Sequence, residues 1–212
     1  MKTALVTGAA KGIGRAIALA LARDGFRVAV HYRSSPAAAE ATAGTIRAAG
    51  GEASAFAADL ADPAQTAALV KAVEQSLGPI HTLVCNAGIM KNQLIAFTTL
   101  EEWREVMTAN LDAAFLLTKA VSRPMARQKA GRIIYISSDA GLLGDLMRAA
   151  YSSSKAGLFG LAKTAARELA ASGVTVNAVA PGIIATDMTS DIPETRRAKQ
   201  LAAIPLGRFG NP

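Results

Sequence analysis

The sequence predicts an α/β protein built on one doubly wound parallel sheet with helices on both faces. Segments 82–85, 132–136 and 174–179 are apolar, or nearly so, along their whole length, as expected of parallel strands that are buried on both faces. Signals for the start and the end of helices recur between these strands, and no repeat or linker interrupts the alternation. We therefore expect the 212 residues, 1–212, to form a single domain.

The N-terminal residues predict a strand, a glycine loop and a helix in succession. A short apolar strand over residues 2–7 leads into Gly8-Ala-Ala-Lys-Gly-Ile-Gly14, and residues 15–24 have the pattern of a helix that Gly25 ends. This order matches the first half of a βαβ unit that binds a dinucleotide, as in Rossmann-type folds. Glycines also cap helices and form turns, but their place between a strand and a helix favours phosphate binding.

Each glycine of this loop has its own expected role. Gly8 allows a tight turn, and Gly12 lets the backbone approach the pyrophosphate of a dinucleotide. Gly14 lets the helix pack against the strand. The N-terminus of the helix offers free N–H groups and the positive end of its dipole to the phosphates.

The end of the second predicted strand, 27–31, bears on the choice between NAD and NADP. Folds of this kind place an acid there for the ribose 2′-hydroxyl of NAD, whereas an arginine accommodates the 2′-phosphate of NADP. This chain has Tyr32-Arg33-Ser34-Ser35 at that point, and Lys11 lies on the same side. An arginine can hydrogen-bond a phosphate through two N–H groups. The sequence therefore predicts NADP(H), the alternative being that Arg33 is only a solvated loop cation.

Signals further along the chain predict where the next helices begin and end. Ser35-Pro36 and Asp62-Pro63 each combine an N-cap residue with a first-turn proline. Gly50-Gly51 and Gly78-Pro79 are typical of helix ends.

Tyr151 and Lys155 are four residues apart, within Ala149-Ala-Tyr-Ser-Ser-Ser-Lys-Ala-Gly157. On a helix this spacing puts both side chains on one face, one turn apart. A cation held beside a phenol favours the phenolate and so lowers a pKa that is normally about 10. Taken alone, the pair is more typical of a partly buried tyrosine and a lysine that reaches solvent. Together with the glycine loop it favours proton transfer.

Several motifs occur together in one order. The pattern T-G-x-x-x-G-x-G is met by Thr7, Gly8, Gly12 and Gly14. The pattern N-N-A-G appears as Cys85-Asn86-Ala87-Gly88, with Cys85 in place of the first asparagine. With Tyr151 and Lys155 they resemble the short-chain dehydrogenase/reductase family, and the resemblance runs along the whole chain. Within that family the β-ketoacyl-[acyl carrier protein] reductases are the most similar, through Val179-Ala-Pro-Gly182, Thr186-Asp-Met188 and Pro205-Leu-Gly-Arg208.

The resemblance implies a catalytic set and a cofactor-binding set. The catalytic set is Asn110, Ser138 (rather than its neighbour Ser137), Tyr151 and Lys155. The cofactor-binding set is Gly8, Lys11, Gly12, Ile13, Gly14, Arg33, Asp59, Leu60, Asn86, Ala87, Gly88, Tyr151, Lys155, Pro181, Gly182, Ile184 and Thr186. Asp59 and Leu60 would lie beside the adenine, and residues 181–186 at the nicotinamide end.

The implied reaction is transfer of hydride from NADPH to the ketone of a β-ketoacyl thioester, as in fatty acid biosynthesis. Tyr151 would protonate the carbonyl oxygen, Ser138 would stabilise its developing charge, and Lys155 would lower the tyrosine pKa and hold the nicotinamide ribose. Asn110 would position a water that links Lys155 to solvent. For Ser138 and Asn110 taken alone, an ordinary structural hydrogen bond is the alternative.

Two departures from the resemblance leave the substrate open. Of two basic positions with which β-ketoacyl reductases dock the acyl carrier protein, one matches Lys129 and the other falls on Ser172. Arg148 stands where a neutral side chain is usual. A reductase or dehydrogenase of another small ketone, keto acid, alcohol or CoA thioester is therefore the main alternative. A non-catalytic nucleotide-binding module is the third, but it predicts a damaged catalytic set, and this set is complete.

Composition restricts the remaining functions. The net charge of +7 would suit nucleic acid, but the basic residues are scattered, so we expect attraction to anionic cofactors and substrates instead. The single cysteine, Cys85, is interpreted as buried packing and indicates a reducing, cytoplasmic environment. His31 and His81 form no metal-ligand pattern, and no apolar run reaches the length of a membrane span.

The resemblance also implies a homo-oligomer, a tetramer or a dimer, in which helices around 100–129 and 151–172 pair across a two-fold axis. Residues 187–197 are expected to form a polar lid that influences substrate choice. The chain ends on Gly210-Asn211-Pro212, a helix-start signal with no helix after it. We therefore expect the family's last helix and seventh strand to be missing, which would leave the strand ending near 179 as an apolar edge.

Overall fold

The computed structural model describes residues 1–190 and 194–212. Within them, six strands form one sheet: β1 (Thr3–Val6), β2 (Arg27–Tyr32), β3 (Ala53–Ala57), β4 (Ile80–Cys85), β5 (Gly131–Ile136) and β6 (Val174–Val179). Their spatial order is β3-β2-β1-β4-β5-β6, and all neighbours are parallel. The chain runs outward from β1 to β3 on one side and then crosses to β4 on the other. The predicted doubly wound sheet is therefore confirmed.

Helices connect the strands. They are α1 (Gly12–Arg23), α2 (Pro36–Ala48), α3 (Pro63–Leu77), α4 (Leu100–Met107), α5 (Ala113–Gln128), α6 (Ala140–Leu143), α7 (Ala149–Leu169), α8 (Asp187–Ser190) and α9 (Glu194–Ala203). A π-helical turn, Thr108–Asp112, joins α4 to α5, so the helical region expected around 100–129 contains two α-helices. In the described part of the chain, no helix is long and apolar enough to cross a membrane.

Some of the predicted signals for helix starts and ends form capping hydrogen bonds, and others do not. The Asp62 carboxylate accepts hydrogen bonds from the backbone N–H groups of Ala64 and Gln65 and so caps α3 as expected. Gly78, with φ of 85°, ends the same helix. Ser35 precedes Pro36 at the start of α2 but makes no capping bond with its side chain. The proline alone therefore marks that helix start.

The core forms two apolar layers, one on each face of the sheet. Neighbouring strand residues point to opposite faces, so Leu5 packs in a layer with residues of α3, α5 and α7, whereas Val6 packs in the layer with α1 and α2. Both side chains are fully buried. These layers hold the carboxyl ends of the strands in fixed relative positions.

The strand β6 lies at an edge of the sheet. It pairs with β5 along its whole length, and in the described residues no strand pairs with its other side. Val174 and Val176 are buried beneath α7, but Thr175 and Asn177 are exposed. This strand is therefore buried on one face only, where the sequence predicted burial on both.

Candidate active site

A cavity of about 1150 Å³ opens at the carboxyl ends of the strands. It lies where the connections from β1 and β4 lead to opposite sides of the sheet, which is where doubly wound folds bind ligands. The predicted site residues that line it are Gly8, Lys11, Gly12, Ile13, Arg33, Asp59, Leu60, Asn86, Ala87, Gly88, Ser138, Tyr151, Lys155, Pro181, Gly182, Ile184 and Thr186. Two predicted residues, Gly14 and Asn110, lie behind its wall.

The glycine loop has the left-handed backbone that favours glycine. Gly8 has φ of 62° and Gly12 has φ of 55°. At Gly14 a Cβ atom would lie 2.3 Å from the carbonyl oxygen of Gly8 and 2.5 Å from Nδ2 of Asn86. The absence of a side chain at Gly14 therefore lets α1 approach the glycine loop and Asn86. The sequence had predicted an approach of this helix to the strand instead.

Thr7 and Asn86 fix the glycine loop to the end of β4. The Thr7 hydroxyl oxygen accepts from the backbone N–H groups of Asn86 and Ala87 at 2.9 and 3.0 Å. In return, Nδ2 of Asn86 donates to the carbonyls of Thr7 and Gly8 at 2.9 and 3.2 Å. These bonds set the width of the cavity between its two inner loops.

His31 supports the glycine loop from below, a role that the sequence reading missed. Its Nδ1 accepts from the backbone N–H of Gly8 at 3.1 Å, so the ring proton lies on Nε2, which donates to the carbonyl of Ala58 at 3.1 Å. Burial lowers the pKa of His31, which keeps the ring neutral in this arrangement. A histidine inside an otherwise apolar strand was the available signal.

The two cations expected to read the 2′-phosphate of NADP differ in their surroundings. Arg33 is exposed at the cavity wall beside Ser34 and Ser35. Lys11 is also at the wall, but its ammonium is 3.3 Å from a carboxylate oxygen of Asp187 at the start of α8. A phosphate would therefore compete with Asp187 for Lys11 and would meet Arg33 directly.

Tyr151 and Lys155 occupy neighbouring turns of α7 at the cavity floor. The Lys155 ammonium lies 5.7 Å from the centroid of the Tyr151 ring and donates to the carbonyl of Ile136 at 2.8 Å. Lys155 is 5% exposed. Burial lowers its pKa from 10.5 to about 8, so the ammonium stays mainly charged at neutral pH.

The pKa of Tyr151 differs from the sequence expectation, which was a pKa lowered by Lys155. Burial raises the pKa of Tyr151 above its usual 10, and its hydrogen bond with Ser138 and the charge of Arg148 counteract part of that effect. The phenol therefore keeps its proton at neutral pH. That state is the one a proton donor requires.

Ser137 and Ser138 have separate tasks at the end of β5. The Ser137 hydroxyl donates to the backbone carbonyl of Lys155 at 2.8 Å and fixes α7 to the sheet. The Ser138 hydroxyl accepts from the Ala140 N–H at 3.2 Å and interacts with Tyr151 and Asp139 at the cavity. Ser138 is the serine placed to meet a ligand beside Tyr151.

Asn110 is buried in the π-helical turn between α4 and α5. Its Oδ1 accepts from the Ile89 N–H at 2.8 Å, and its Nδ2 donates to the Ile89 carbonyl at 3.0 Å and to the Ser154 hydroxyl at 2.9 Å. π-helical turns of this kind occur often at functional sites. Asn110 is therefore close to Tyr151 and Lys155 without lining the cavity.

Arg148 lies at the cavity three residues before Tyr151 and is largely buried. Its guanidinium donates to the Asp145 carboxylate and, at 2.9 Å, to the side-chain oxygen of Asn92. The preceding residue, Met147, has φ of 65°, an uncommon value for a residue with a large side chain. Its carbonyl accepts from the Gln93 N–H at 2.7 Å, which holds this strained turn in place.

The segment predicted at the nicotinamide end completes the wall. The Pro181 carbonyl accepts from the Asp139 N–H at 3.0 Å, and a Cβ on Gly12 would lie 3.3 Å from the methyl group of Thr186. The chain returns to this wall at Gly210, whose carbonyl accepts from the Ala185 N–H at 2.8 Å. Of the predicted lid 187–197, residues 191–193 lie outside the described residues, and α8 and the start of α9 are helical.

No metal site is found in residues 1–190 and 194–212: no group of three or more His, Cys, Asp or Glu side chains is placed to hold an ion. The sole cysteine, Cys85, is buried, and burial raises the pKa of its thiol to about 12, so it is not a nucleophile at neutral pH.

Comparison with known proteins identifies the family. The family model described as short chain dehydrogenase matches residues 2–197. This chain belongs to the short-chain dehydrogenase family. A 3-oxoacyl-[acyl-carrier-protein] reductase of Synechocystis sp. is 49% identical to it over 211 residues, which cover 100% of this chain and 84% of that protein. The corresponding FabG reductase of Staphylococcus aureus is 44% identical over 209 residues, with 99% and 85% covered.

A solved structure gives the same result in three dimensions. A protein of Beutenbergia cavernae, described as an NAD(P)-dependent gluconate 5-dehydrogenase with bound NADP at low occupancy, superposes with a TM-score of 0.94 and 39% identity. The match covers 99% of this chain and 84% of that one. The resemblance to the short-chain dehydrogenases inferred from the motifs is thus confirmed.

Sequence reasoning missed some residues at the cavity of this short-chain dehydrogenase. Asp139 and Asp145 contribute carboxylates near Tyr151, and Leu143 and Leu206 contribute exposed apolar side chains. Leu206 lies in the Pro205-Leu-Gly-Arg208 motif, which indicated a resemblance but no place at the cavity. The other three belong to no recognisable spacing pattern, because loops from distant parts of the chain bring them together.

Proposed function

We propose that this short-chain dehydrogenase is an NADPH-dependent reductase of β-ketoacyl thioesters. The observation that carries the proposal is the meeting of Tyr151, Ser138 and Lys155 at one cavity beside a glycine loop. The two relatives named as 3-oxoacyl-[acyl-carrier-protein] reductases support this substrate class. The complete catalytic set favours an enzyme over a non-catalytic nucleotide-binding module.

The residues present fit NADP(H). The first turn of α1 contains no acidic residue, and its N-cap residue, Lys11, makes no capping bond with its side chain, so the N–H groups there can bind a pyrophosphate. Gly8 and Gly12 would let the backbone approach it. Arg33 would hydrogen-bond the 2′-phosphate. The relative from Beutenbergia cavernae has NADP in its structure.

In the proposed reaction, bound NADPH supplies a hydride to the ketone carbon. Tyr151 donates its proton to the ketone oxygen, and Ser138 hydrogen-bonds that oxygen as negative charge develops on it. The Lys155 ammonium stabilises the phenolate that remains and would hold the ribose nearest the nicotinamide. Because Tyr151 loses one proton in each turnover, one proton must return to it from solvent before the next.

The rim of the cavity suits an acyl chain. Leu143 and Leu206, which line the cavity, are 84% and 77% exposed. Exposed apolar side chains at a ligand site gain free energy when an apolar ligand covers them. For an acyl carrier protein we propose Lys129, the exposed residue that follows α5, as the basic contact.

A reductase of another small polar ketone is the second candidate. Arg148, Asp139 and Asp145 place three charged groups near Tyr151, and the Beutenbergia cavernae relative is described as a gluconate 5-dehydrogenase. Charged and hydrogen-bonding groups at that position suit a polyhydroxy acid better than an acyl chain.

A substrate panel tests the proposal against this candidate. NADPH oxidation is followed with acetoacetyl-CoA, with the same acyl group on an acyl carrier protein, and with 5-ketogluconate. We expect a higher kcat/KM for the thioesters than for the sugar acid. A preference for 5-ketogluconate would replace the thioester proposal with the second candidate. A further loss in Lys129→Glu on the carrier-bound substrate alone would support carrier docking.

We also propose a homo-oligomer, a tetramer or a dimer, and a reducing cytoplasmic location. Phe97, Leu100 and Phe115, in or beside α4 and α5, are 67%, 61% and 49% exposed. Apolar side chains this exposed favour burial against a second copy of the chain. Light scattering measures the assembly, and Phe115→Lys should reduce its mass. A monomer in wild type would contradict this proposal.

A further inference from the structure

Ser154 is fully buried and joins the two elements that carry the catalytic set. Its hydroxyl donates to the backbone carbonyl of Tyr151 at 2.7 Å and accepts from Nδ2 of Asn110 at 2.9 Å. Helix α7 and the π-helical turn approach each other closely beside it, because at Gly157 a Cβ would lie 2.6 Å from the side chain of Leu111. Ser154 is therefore a hydrogen-bonded link across a tightly packed contact.

The hydrogen bonds of Asn110 leave one position open on its side chain. Both hydrogens of Nδ2 are donated, one to the Ile89 carbonyl and one to Ser154. Oδ1 accepts from the Ile89 N–H and keeps a second lone pair. In this orientation the Asn110 side chain can only accept a further hydrogen bond.

The open lone pair lies beside Lys155. A Cβ on Gly88 would lie 2.9 Å from Oδ1 of Asn110 and 3.5 Å from Nζ of Lys155, so both groups pack closely against Gly88 and lie near each other. A group that bridges the two must donate to Asn110 and contact the ammonium. A water molecule satisfies both requirements.

We propose that Ser154 is a positioning residue for proton return: its hydroxyl holds the Asn110 amide so that Oδ1 accepts from a water next to Lys155. The effect of Ser154 on the rate of ketone reduction rests on the proposed reductase function, whereas its effect on the Asn110 side chain does not. For each ketone reduced, Tyr151 loses one proton. One proton then returns to Tyr151 from solvent through this water and Lys155. No group changes its oxidation state in this step.

A double-mutant cycle tests whether Ser154 acts through Asn110. We expect Ser154→Ala to lower kcat about tenfold, most strongly where proton return is limiting at high pH, with KM and NADPH affinity within about twofold of wild type. In the Asn110→Ala background the same change should have no further effect. Ser153→Ala is the matched control, because Ser153 is exposed on the same helix. Equal losses in both backgrounds, or an equal loss in Ser153→Ala, would overturn the proposal.

A second measurement does not depend on the substrate. The two Nδ2–H resonances of Asn110 are assigned by NMR from their loss in Asn110→Ala. In Ser154→Ala we expect one of them to shift and to exchange faster with solvent, and Ser154→Thr, which keeps the hydroxyl, should retain slower exchange than Ser154→Ala. Unchanged resonances in Ser154→Ala would overturn the proposal. Altered resonances in an enzyme that reduces no ketone would retain it and reject the reductase function.

Discussion

The Lys155 ammonium lies 5.7 Å from the centroid of the Tyr151 ring and is held there by a 2.8 Å hydrogen bond to the Ile136 carbonyl. Because that carbonyl belongs to β5, the lysine connects the catalytic helix to the sheet. A buried ammonium costs free energy in the folded state unless a negative charge lies near it. The phenolate that Tyr151 forms in the proposed reaction is a charge of this kind.

Lys155→Met should stabilise the protein below pH 8. Burial lowers the pKa of Lys155 from 10.5 to about 8. Between these pH values the unfolded wild-type protein binds more protons than the folded one, so the stability of the wild type rises with pH. At neutral pH we expect the variant to gain on the order of 3 kcal/mol in free energy of unfolding, less the lost hydrogen bond to Ile136. Urea unfolding at several pH values measures this gain.

The gain should shrink as the pH rises from about 8 to 10. Lys163→Met, at an exposed position of the same helix, is the control and should show no comparable pH dependence. A gain that stays constant over this range would contradict the buried, depressed pKa of Lys155.

Arg148→Gln should move the pH dependence of alcohol oxidation upward. Oxidation needs Tyr151 deprotonated, and the charge of Arg148 lowers the raised pKa of that phenol. Without this charge, the midpoint of the rise in kcat should move to higher pH. NADP⁺ reduction with 3-hydroxybutyryl-CoA gives the profile. Arg148→Lys keeps the charge, so its midpoint should stay near that of the wild type. Identical midpoints for Arg148→Gln and the wild type would show that the charge of Arg148 does not lower the pKa of Tyr151.

Arg33→Ala should weaken the use of NADPH and leave NADH unaffected. Losing a charge-assisted hydrogen bond to the 2′-phosphate should reduce kcat/KM for NADPH by about 10-fold to 100-fold. Lys11→Ala should cost less, because Lys11 is already paired with Asp187. Steady-state kinetics give kcat/KM for NADPH and for NADH in each variant. Arg23→Ala, at the far end of α1, is the control. An equal loss for NADH would show that Arg33 does not read the phosphate.

Gly14→Ala should abolish NADPH binding, whereas Gly160→Ala should be tolerated. Both residues lie in helices, but a Cβ at Gly14 would be 2.3 Å from the Gly8 carbonyl oxygen, and at Gly160 it would meet no atom within 4 Å. The second change should stabilise α7 by about 0.5–1 kcal/mol. Thermal unfolding and NADPH fluorescence titration measure the two effects. Full cofactor affinity in Gly14→Ala would contradict the close packing of Gly14 against the glycine loop.

Local patterns account for what the sequence predicted correctly. The left-handed backbone of Gly8 and Gly12 follows from the freedom of glycine, and the closeness of Tyr151 and Lys155 follows from their spacing on one helix. Both features can be predicted without knowing the fold. The layers of the sheet followed in the same way from apolar strands and from signals such as Asp62. These features depend on residues that are neighbours in the chain.

The remaining features depend on contacts between distant segments. His31 supports the glycine loop only because β1 and β2 are adjacent, and Ser154 meets Asn110 only because Gly157 allows close packing. The π-helical turn inserts its extra residue where the sequence continues in an ordinary helical pattern. The pKa of Tyr151 reflects burial, which depends on the whole fold and not on the spacing to Lys155.

The most direct test is NADPH oxidation with acetoacetyl-CoA by wild type and Tyr151→Phe, with NADPH binding measured on both. The account predicts turnover by wild type, a loss of at least about 100-fold in Tyr151→Phe, and similar NADPH affinity in the two proteins. Turnover by Tyr151→Phe at the wild-type rate would contradict the central claim that this phenol delivers the proton.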